Sequence, residues 1–374
     1  MSRLLPSVLW ASLAWCLAAG SALAAGKTAG LDKTGKPDLK SVGQLAFGPE
    51  GVLFVGDSQG AAIFAIGVPP ASDEKPSADF HVDALDAKLA ALLGTQPADI
   101  LINDIAVQPG SGVVYLSVSR GKGPHADPVI VTVSPAGKLA LLPLDSVSYS
   151  KLEFQNAPGP EDKDRRGNSL RQESITDLHF VDGKLFVAGL SNEDFTSKMR
   201  AITFPFSAAD AGAAVGIYHG AHGAFETRSP VRTFIPFNIG GEPHLLAAYT
   251  CTPLVTVPVS QLKAGSQLKG TTVAELGNRN RPLDIISYQK DGHTFLLLAN
   301  SNRGVMKIST DNIAQQQKNG ITEPIKDGAT AGLTYDTLKD LKGVEHLDKL
   351  GEDHALLLVR ADDKSLKLES MKLP

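Results

Sequence analysis

The sequence predicts an all-β protein, a β-propeller with six blades, and three observations carry that expectation. Helical periodicity is scarce along the 374 residues. A unit of strand, tight turn, apolar strand and polar tip recurs six times. The second strand of each unit is a nearly continuous apolar run, as expected of strands covered on both faces. Units of this kind along most of the chain imply small sheets packed radially on their neighbours. Seven blades are the alternative, because residues 80–100 and 144–172 are long insertions.

The chain opens with Arg3, an apolar stretch over 4–17 and Ala22-Leu23-Ala24, the layout of a secretory signal peptide cleaved near Ala24. The expectation is an exported protein, periplasmic or secreted, with residues 25–374 as a single propeller domain. The apolar stretch is short for a bilayer, and no later segment holds roughly 18 uninterrupted apolar residues, so no membrane span is expected. Trp15 is too bulky to precede a lipidated Cys16. Cleavage removes Cys16 and both tryptophans, so Cys251 is the one remaining thiol and no intramolecular disulfide can form. The chain carries 36 Lys+Arg against 40 Asp+Glu, a formal charge of −4, with no basic block. That balance excludes nucleic acid, whose phosphates need a Lys/Arg surface. A chain of this length buries a large core without covalent staples, and a monomer is expected.

The first unit covers 44–47, the turn Gly48-Pro49-Glu50-Gly51, 52–55 and the tip Gly56-Asp57-Ser58. The second covers 104–107, a turn over 109–112, 113–118 and Ser119-Arg120. The third covers 177–180, Asp182-Gly183, 185–190 and Ser191-Asn192. The fourth covers 233–237, Gly240-Gly241, 245–249 and Thr250-Cys251. The fifth covers 284–288, Asp291-Gly292, 295–299 and Asn300-Ser301. The sixth covers 345–350, Gly351-Glu352-Asp353, 355–359 and Arg360-Ala361-Asp362. The Asp-Gly and Gly-Gly pairs permit the positive φ angles that tight hairpins demand. Third strands follow the tips, as at 61–66, 129–133, 254–259 and 305–308. The last unit lacks a clear fourth strand, and residues 27–42 are expected to pair there and close the ring. The best helical pattern is 83–93, with Leu85, Leu89 and Leu92 on one face. Residues 156–172 read as a solvated loop, and 208–223 as a small-residue stretch that carries His219 and His222.

Residues 47–55 (FGPEGVLFV) and 180–187 (FVDGKLFV) carry a resemblance to the broad NHL/YncE/SMP-30-like class of propellers. The resemblance implies a fold and no single activity. Likeness to the SMP-30-like lactonases within that class implies a metal-dependent hydrolase. There Glu, Asn and Asp bind the metal and an Asp acts as base; Glu345, Asn103 and Asp284 or Asp177 fit those roles here.

In a propeller the second-to-third-strand tips and the starts of the first strands share one face of the disc. Two sets of candidates converge there. Asp104, Asp177 and Asp284 occupy one column of the repeat, joined by Glu345 if the sixth unit aligns without a gap. With Asn103 they are candidates for Ca²⁺ or another divalent cation, which takes carboxylate and amide oxygens. The competing reading is that each Asp accepts backbone N–H groups where its strand begins. The second set, Asp57, Arg120, Asn192, Arg281, Asn300, Asn302 and Arg303, would bind a ligand; the Arg forks suit a small anionic ligand or an acidic partner. His219, His222, His244 and Cys251 raise a transition-metal reading as well. No phosphate-binding Gly loop, Gly-x-Ser-x-Gly elbow, HExxH or CxxCH segment is present. The expected function is a binding module for a periplasmic protein or small anionic ligand, with a metal-dependent lactonase or esterase as the alternative. No residue is assigned a catalytic role, and whether the chain is an enzyme stays open.

Overall fold

The computed structural model describes residues 29–374 except 50, 72–76, 209–210, 252 and 327, so the expected signal peptide lies outside the described residues. Six sheets, antiparallel except where Gln267–Lys269 runs parallel to Ala213–His219, form the blades of a propeller. Their innermost strands are Leu45–Phe47, Ile100–Val107, Asp177–Val181, Val231–Ile239, Pro282–Lys290 and Val344–Leu350, for blades 1 to 6 in chain order. The second strands are the apolar runs of the repeat. Val52–Asp57 and Lys184–Leu190 are buried almost end to end, because each sheet is covered by a neighbour on both faces. The hairpins use the predicted turn chemistry: at Asp182–Gly183, φ is +51° and +74°, the left-handed region where Asp and Gly cost least.

The blades do not follow one another around the ring in chain order. Six hydrophobic clusters each join two blades. Phe54 and Ile63 of blade 1 pack with Leu185 and Val187 of blade 3. Phe64 and Ile66 of blade 1 pack with Tyr115 and Ile130 of blade 2. Leu116 and Val131 of blade 2 meet Leu356 and Leu358 of blade 6. The other three clusters join blades 3 and 4, 4 and 5, and 5 and 6. The spatial order is therefore 2–1–3–4–5–6, closing from 6 back to 2.

The connections explain that order. After the third strand of blade 1 (Ala62–Gly67), His81–Val82 pairs with Leu366–Lys372 as the fourth strand of blade 6. The chain then builds blade 2 and returns with Val147–Glu153 as the fourth strand of blade 1, against Ala62–Gly67. The two long insertions are thus the outer strands of other blades, and the count is six. The expected closure by residues 27–42 is corrected. Lys33–Gly35 is instead the outermost strand of blade 1, paired with Val147–Glu153. The edge of blade 6 is instead covered by a segment with two buried apolar side chains, Phe80 and Val82. Lys33 and Thr34 are exposed, as suits an outermost edge.

The predicted helix forms as Leu85–Leu93, but its buried face is Leu85, Leu89, Ala90 and Leu93, and Leu92 is exposed. A second helix, Ile313–Asn319, has no counterpart in the sequence reading. Among the described residues no helix is long and apolar enough to cross a membrane.

Candidate functional site

Each inner strand begins at the channel mouth, and in four blades it does so through a register shift. The shifts fall between Ile102 and Asp104, Val231 and Thr233, Pro282 and Asp284, and Val344 and His346. A bulge adds one residue and re-aims its side chain. The skipped residues are Asn103, Arg232, Leu283 and Glu345, and all four line the mouth. The residues that follow resume the register, which places Asp104, Thr233, Asp284 and His346 in one column with Asp177. This moves Glu345 out of the aspartate column and puts His346 there.

The aspartates hold the ring together. Asp104 accepts Ile105 N on its own strand at 2.8 Å and Leu45 N of blade 1 at 2.7 Å. Asp177 accepts Leu178 N and, from blade 4, Phe234 N, both at 2.7 Å. Asp284 accepts Ile285 N at 2.8 Å and Leu347 N of blade 6 at 3.2 Å. A fourth clasp was not foreseen: Asp348 accepts Lys349 N and Val107 N of blade 2, both at 2.7 Å. Every clasp reaches the next blade in the order 2–1–3–4–5–6, so blade 1 occupies an ordinary place in the ring despite its broken connectivity.

Burial in the channel raises the pKa values of Asp104, Asp177 and Asp348. Burial pushes Asp104 up to about 7 against the pull of His346. Burial, then Asp284, raises Asp177 well above the usual carboxylate range. Burial takes Asp348 to about 7 as well. His346 is raised: burial opposes its charge, but Asp284 and Asp104 outweigh that. Its Nδ1 stands 3.6 Å from Asp104 Oδ1 and 3.6 Å from Asp284 Oδ2. The three side chains offer ligand atoms within 4.8 Å of one another. Asp104, Asp177 and Asp284 line a channel cavity of about 260 Å³ with His179, whose pKa burial lowers to about 4.

Above the channel the mouth widens to a cavity of about 1130 Å³. The predicted meeting of strand starts and tips occurs here: Arg281, Asn300, Asn302 and Arg303 line the cavity with Asn103 and Glu345. Asn300 is tied down, donating to Leu298 O and Gly304 O and accepting from Asn280. Asn103 donates to Val42 O and Ser119 Oγ, and Glu345 makes a two-pronged pair with Arg360, so neither joins the aspartates. The remaining ligand candidates lie elsewhere. Asp57 is fully buried, accepting from Lys40 N, Ser41 N, Ser41 Oγ and Gly60 N. Arg120 pairs with Asp127 at 3.5 Å, and Asn192 is exposed away from the mouth cavity.

Sequence reasoning missed Arg232, Glu173, Lys339 and Lys342 at the mouth, and placed Arg360 in the sixth tip without making it a ligand candidate. Arg232 pairs with Glu173 at 2.5 Å. Among the described residues no carboxylate lies within ion-pair distance of Arg281, Arg303, Lys339 or Lys342. The bulges at Val231-Arg232-Thr233 and Val344-Glu345-His346 are visible in the strand pairing and not in the residue pattern. Lys339 and Lys342 carry no signal in the repeat.

No family model matches this chain, and no curated protein matches it. Among solved structures, the full extracellular region of plexin A4, domains 1 to 10, is similar over 91% of this chain, with 8% identity and a TM-score of 0.42. The match spans 40% of that plexin chain. The propeller assignment rests on the six sheets themselves.

Proposed function

We propose that this protein is an exported binding module whose channel mouth takes a small anionic ligand. The observation that carries the reading is the set of four cationic side chains, Arg281, Arg303, Lys339 and Lys342, that face one cavity with no carboxylate partner among the described residues. The chain as a whole is acidic, at −4, so the cationic mouth is a local concentration against the global balance. Burial disfavours the charge of Arg232, Glu173 supports it, and the nearby Arg281 repels it. An anion bridging the two would relieve that repulsion, and paired forks suit carboxylate or phosphate oxygens. Titration calorimetry with citrate and inorganic pyrophosphate tests the reading. Binding should weaken at least tenfold in Arg281→Ala and Arg303→Ala; affinities unchanged in both variants, or no heat with either anion, would count against it.

A second reading draws on Asp104, Asp284 and His346, whose ligand atoms gather within 4.8 Å. A divalent cation held there would face the mouth through His346 and would suit the metal-dependent hydrolase implied by the SMP-30-like resemblance. Against it, both oxygens of each aspartate already accept a backbone N–H. Lactone and ester hydrolysis that needs added Ca²⁺ or Mn²⁺ and is lost in His346→Ala would favour this reading. No hydrolysis with either metal would remove it.

A further inference from the structure

One cluster of side chains lies apart from the channel, on the outer part of blade 3. Strand Ala213–His219 ends in the turn Gly220-Ala221-His222-Gly223, and Ala224–Glu226 returns beside it. The register sets Ala224 opposite His219 and Glu226 opposite Ile217, which makes Glu226 a diagonal neighbour of His219 on the same face. Nδ1 of His219 stands 3.2 Å from Glu226 Oε1, and Nδ1 of His222 stands 2.6 Å from the same oxygen. The two rings lie 3.8 Å apart, and the three residues offer ligand atoms within 4.8 Å of one another.

Blade 4 supplies the second observation. Glu275, at the end of Thr271–Glu275, is fully buried, and its Oε1 accepts Gly220 N at 2.5 Å. Its Oε2 faces His219 Nε2 at 3.9 Å, too far for a hydrogen bond. His219 is 2% exposed, and both of these atoms are buried without a hydrogen-bond partner. Folded proteins rarely leave such groups unpaired without a use for them.

We propose that this hairpin is a binding site for a divalent transition metal of the zinc type, held by Nδ1 of His219, Nδ1 of His222 and the Glu226 carboxylate. Two imidazoles and a carboxylate are a zinc-type donor set, whereas Ca²⁺ and Mg²⁺ prefer oxygens alone. A metal on Nδ1 requires the proton of His219 on Nε2, and Glu275 Oε2 is the acceptor waiting for it. That carboxylate–histidine–metal line recurs behind metal-bound histidines, where it sets the tautomer and the ring orientation. It gives the buried pair a role: a shift of about 1 Å would bring Nε2 and Oε2 to hydrogen-bond distance. Three protein ligands leave one tetrahedral position free, and the half-exposed His222 ring puts it on the solvent side. His244 stays out of the cluster, with its Nδ1 on Glu242 O.

The test is calorimetric titration of ZnCl₂ into chelator-treated protein, with Co²⁺ absorption as an independent readout of coordination. One equivalent should bind per chain. His222→Ala and Glu226→Gln change side chains at the surface of a hairpin and should keep the parent circular dichroism spectrum. Each should weaken Zn²⁺ binding at least tenfold and abolish the four-coordinate Co²⁺ bands. Glu275→Gln should weaken it about ten- to a hundredfold, and the exposed His293→Ala should leave it unchanged. A parent isotherm retained by both His222→Ala and Glu226→Gln would overturn the proposal, as would a parent protein that binds no Zn²⁺.

Discussion

Removing the Asp177 carboxylate tests whether the aspartate column holds the blades together. In Asp177→Ala, Leu178 N and Phe234 N lose their acceptor, and the direct bond from this side chain to blade 4 backbone goes with it, as does the bond to the Thr233 side chain. Each lost bond costs about 1 kcal/mol net when water replaces the acceptor, and up to about 3 kcal/mol when nothing does. The channel cavity of about 260 Å³ beside Asp177 admits water, which favours the lower figure. Relief of repulsion from Asp284 and Asp104 offsets part of the loss. The expected cost is therefore about 2 kcal/mol. An unfolding entropy of about 2.1 cal/mol/K per residue amounts to about 0.7 kcal/mol/K for this chain, so Tm should fall by about 3 °C. Asp177→Asn keeps one acceptor and should fall between parent and Ala variant. The assay is scanning calorimetry at neutral pH, with Glu345→Ala, which breaks only a rim pair, as the control expected within about 0.5 kcal/mol of parent. An Asp177→Ala protein that melts with the parent would refute the clasp and return the column to a ligand-binding role.

Three further outcomes follow from the fold. Phe80→Ala should cost about 3–5 kcal/mol, because the ring is buried beside the closing strand of blade 6; Lys33→Ala should change stability by less than about 0.5 kcal/mol, and the reverse ranking in urea unfolding would restore closure by the N-terminal segment. Asp348 is pushed up to about 7 by burial, above the value of about 3.9 in an unfolded chain. Between those values the folded state binds more protons, so its contribution is fully present at low pH and is lost as pH rises to about 7. Asp348→Asn should flatten the fall in Tm between pH 5 and about 7.5, and an unchanged slope would show that the carboxyl is not raised. Gly189→Ala would place a Cβ about 2.0 Å from Ser174 O, a backbone atom that cannot swing aside; a loss of about 3 kcal/mol or more in unfolding free energy is expected, and a parent-like melt would mean that the backbone at 174–175 does not close on Gly189.

The candidate site was partly legible. Asp104, Asp177 and Asp284 stood out because each opens a strand at the same point of a repeated unit, and the structure brings them to one channel. The same alignment placed Glu345 beside them and failed by one residue. A bulge is an insertion in pairing, not in composition, and Val344-Glu345-His346 shows no sign of which residue its partner strand will skip. Asn302 and Arg303 at a tip and Arg281 at a strand start line the mouth because tips and strand starts face one side of a disc. Lys339 and Lys342 belong to a connection between blades, and only the closed ring brings that connection over the mouth.

The inner hairpins of the blades were determined by the sequence alone, because alternation, apolar runs and Asp-Gly turns act within about ten residues along the chain; the choice between six blades and seven was not. The order of the blades was decided by the tertiary structure. Every blade offers its neighbours the same kind of apolar face and the same open edge. Which edge His81–Val82 or Val147–Glu153 completes depends on buried area and hydrogen bonds summed over the closed ring. Those sums join residues nearly 300 positions apart, as when Ser370 N bonds to Phe80 O, and no local pattern records them.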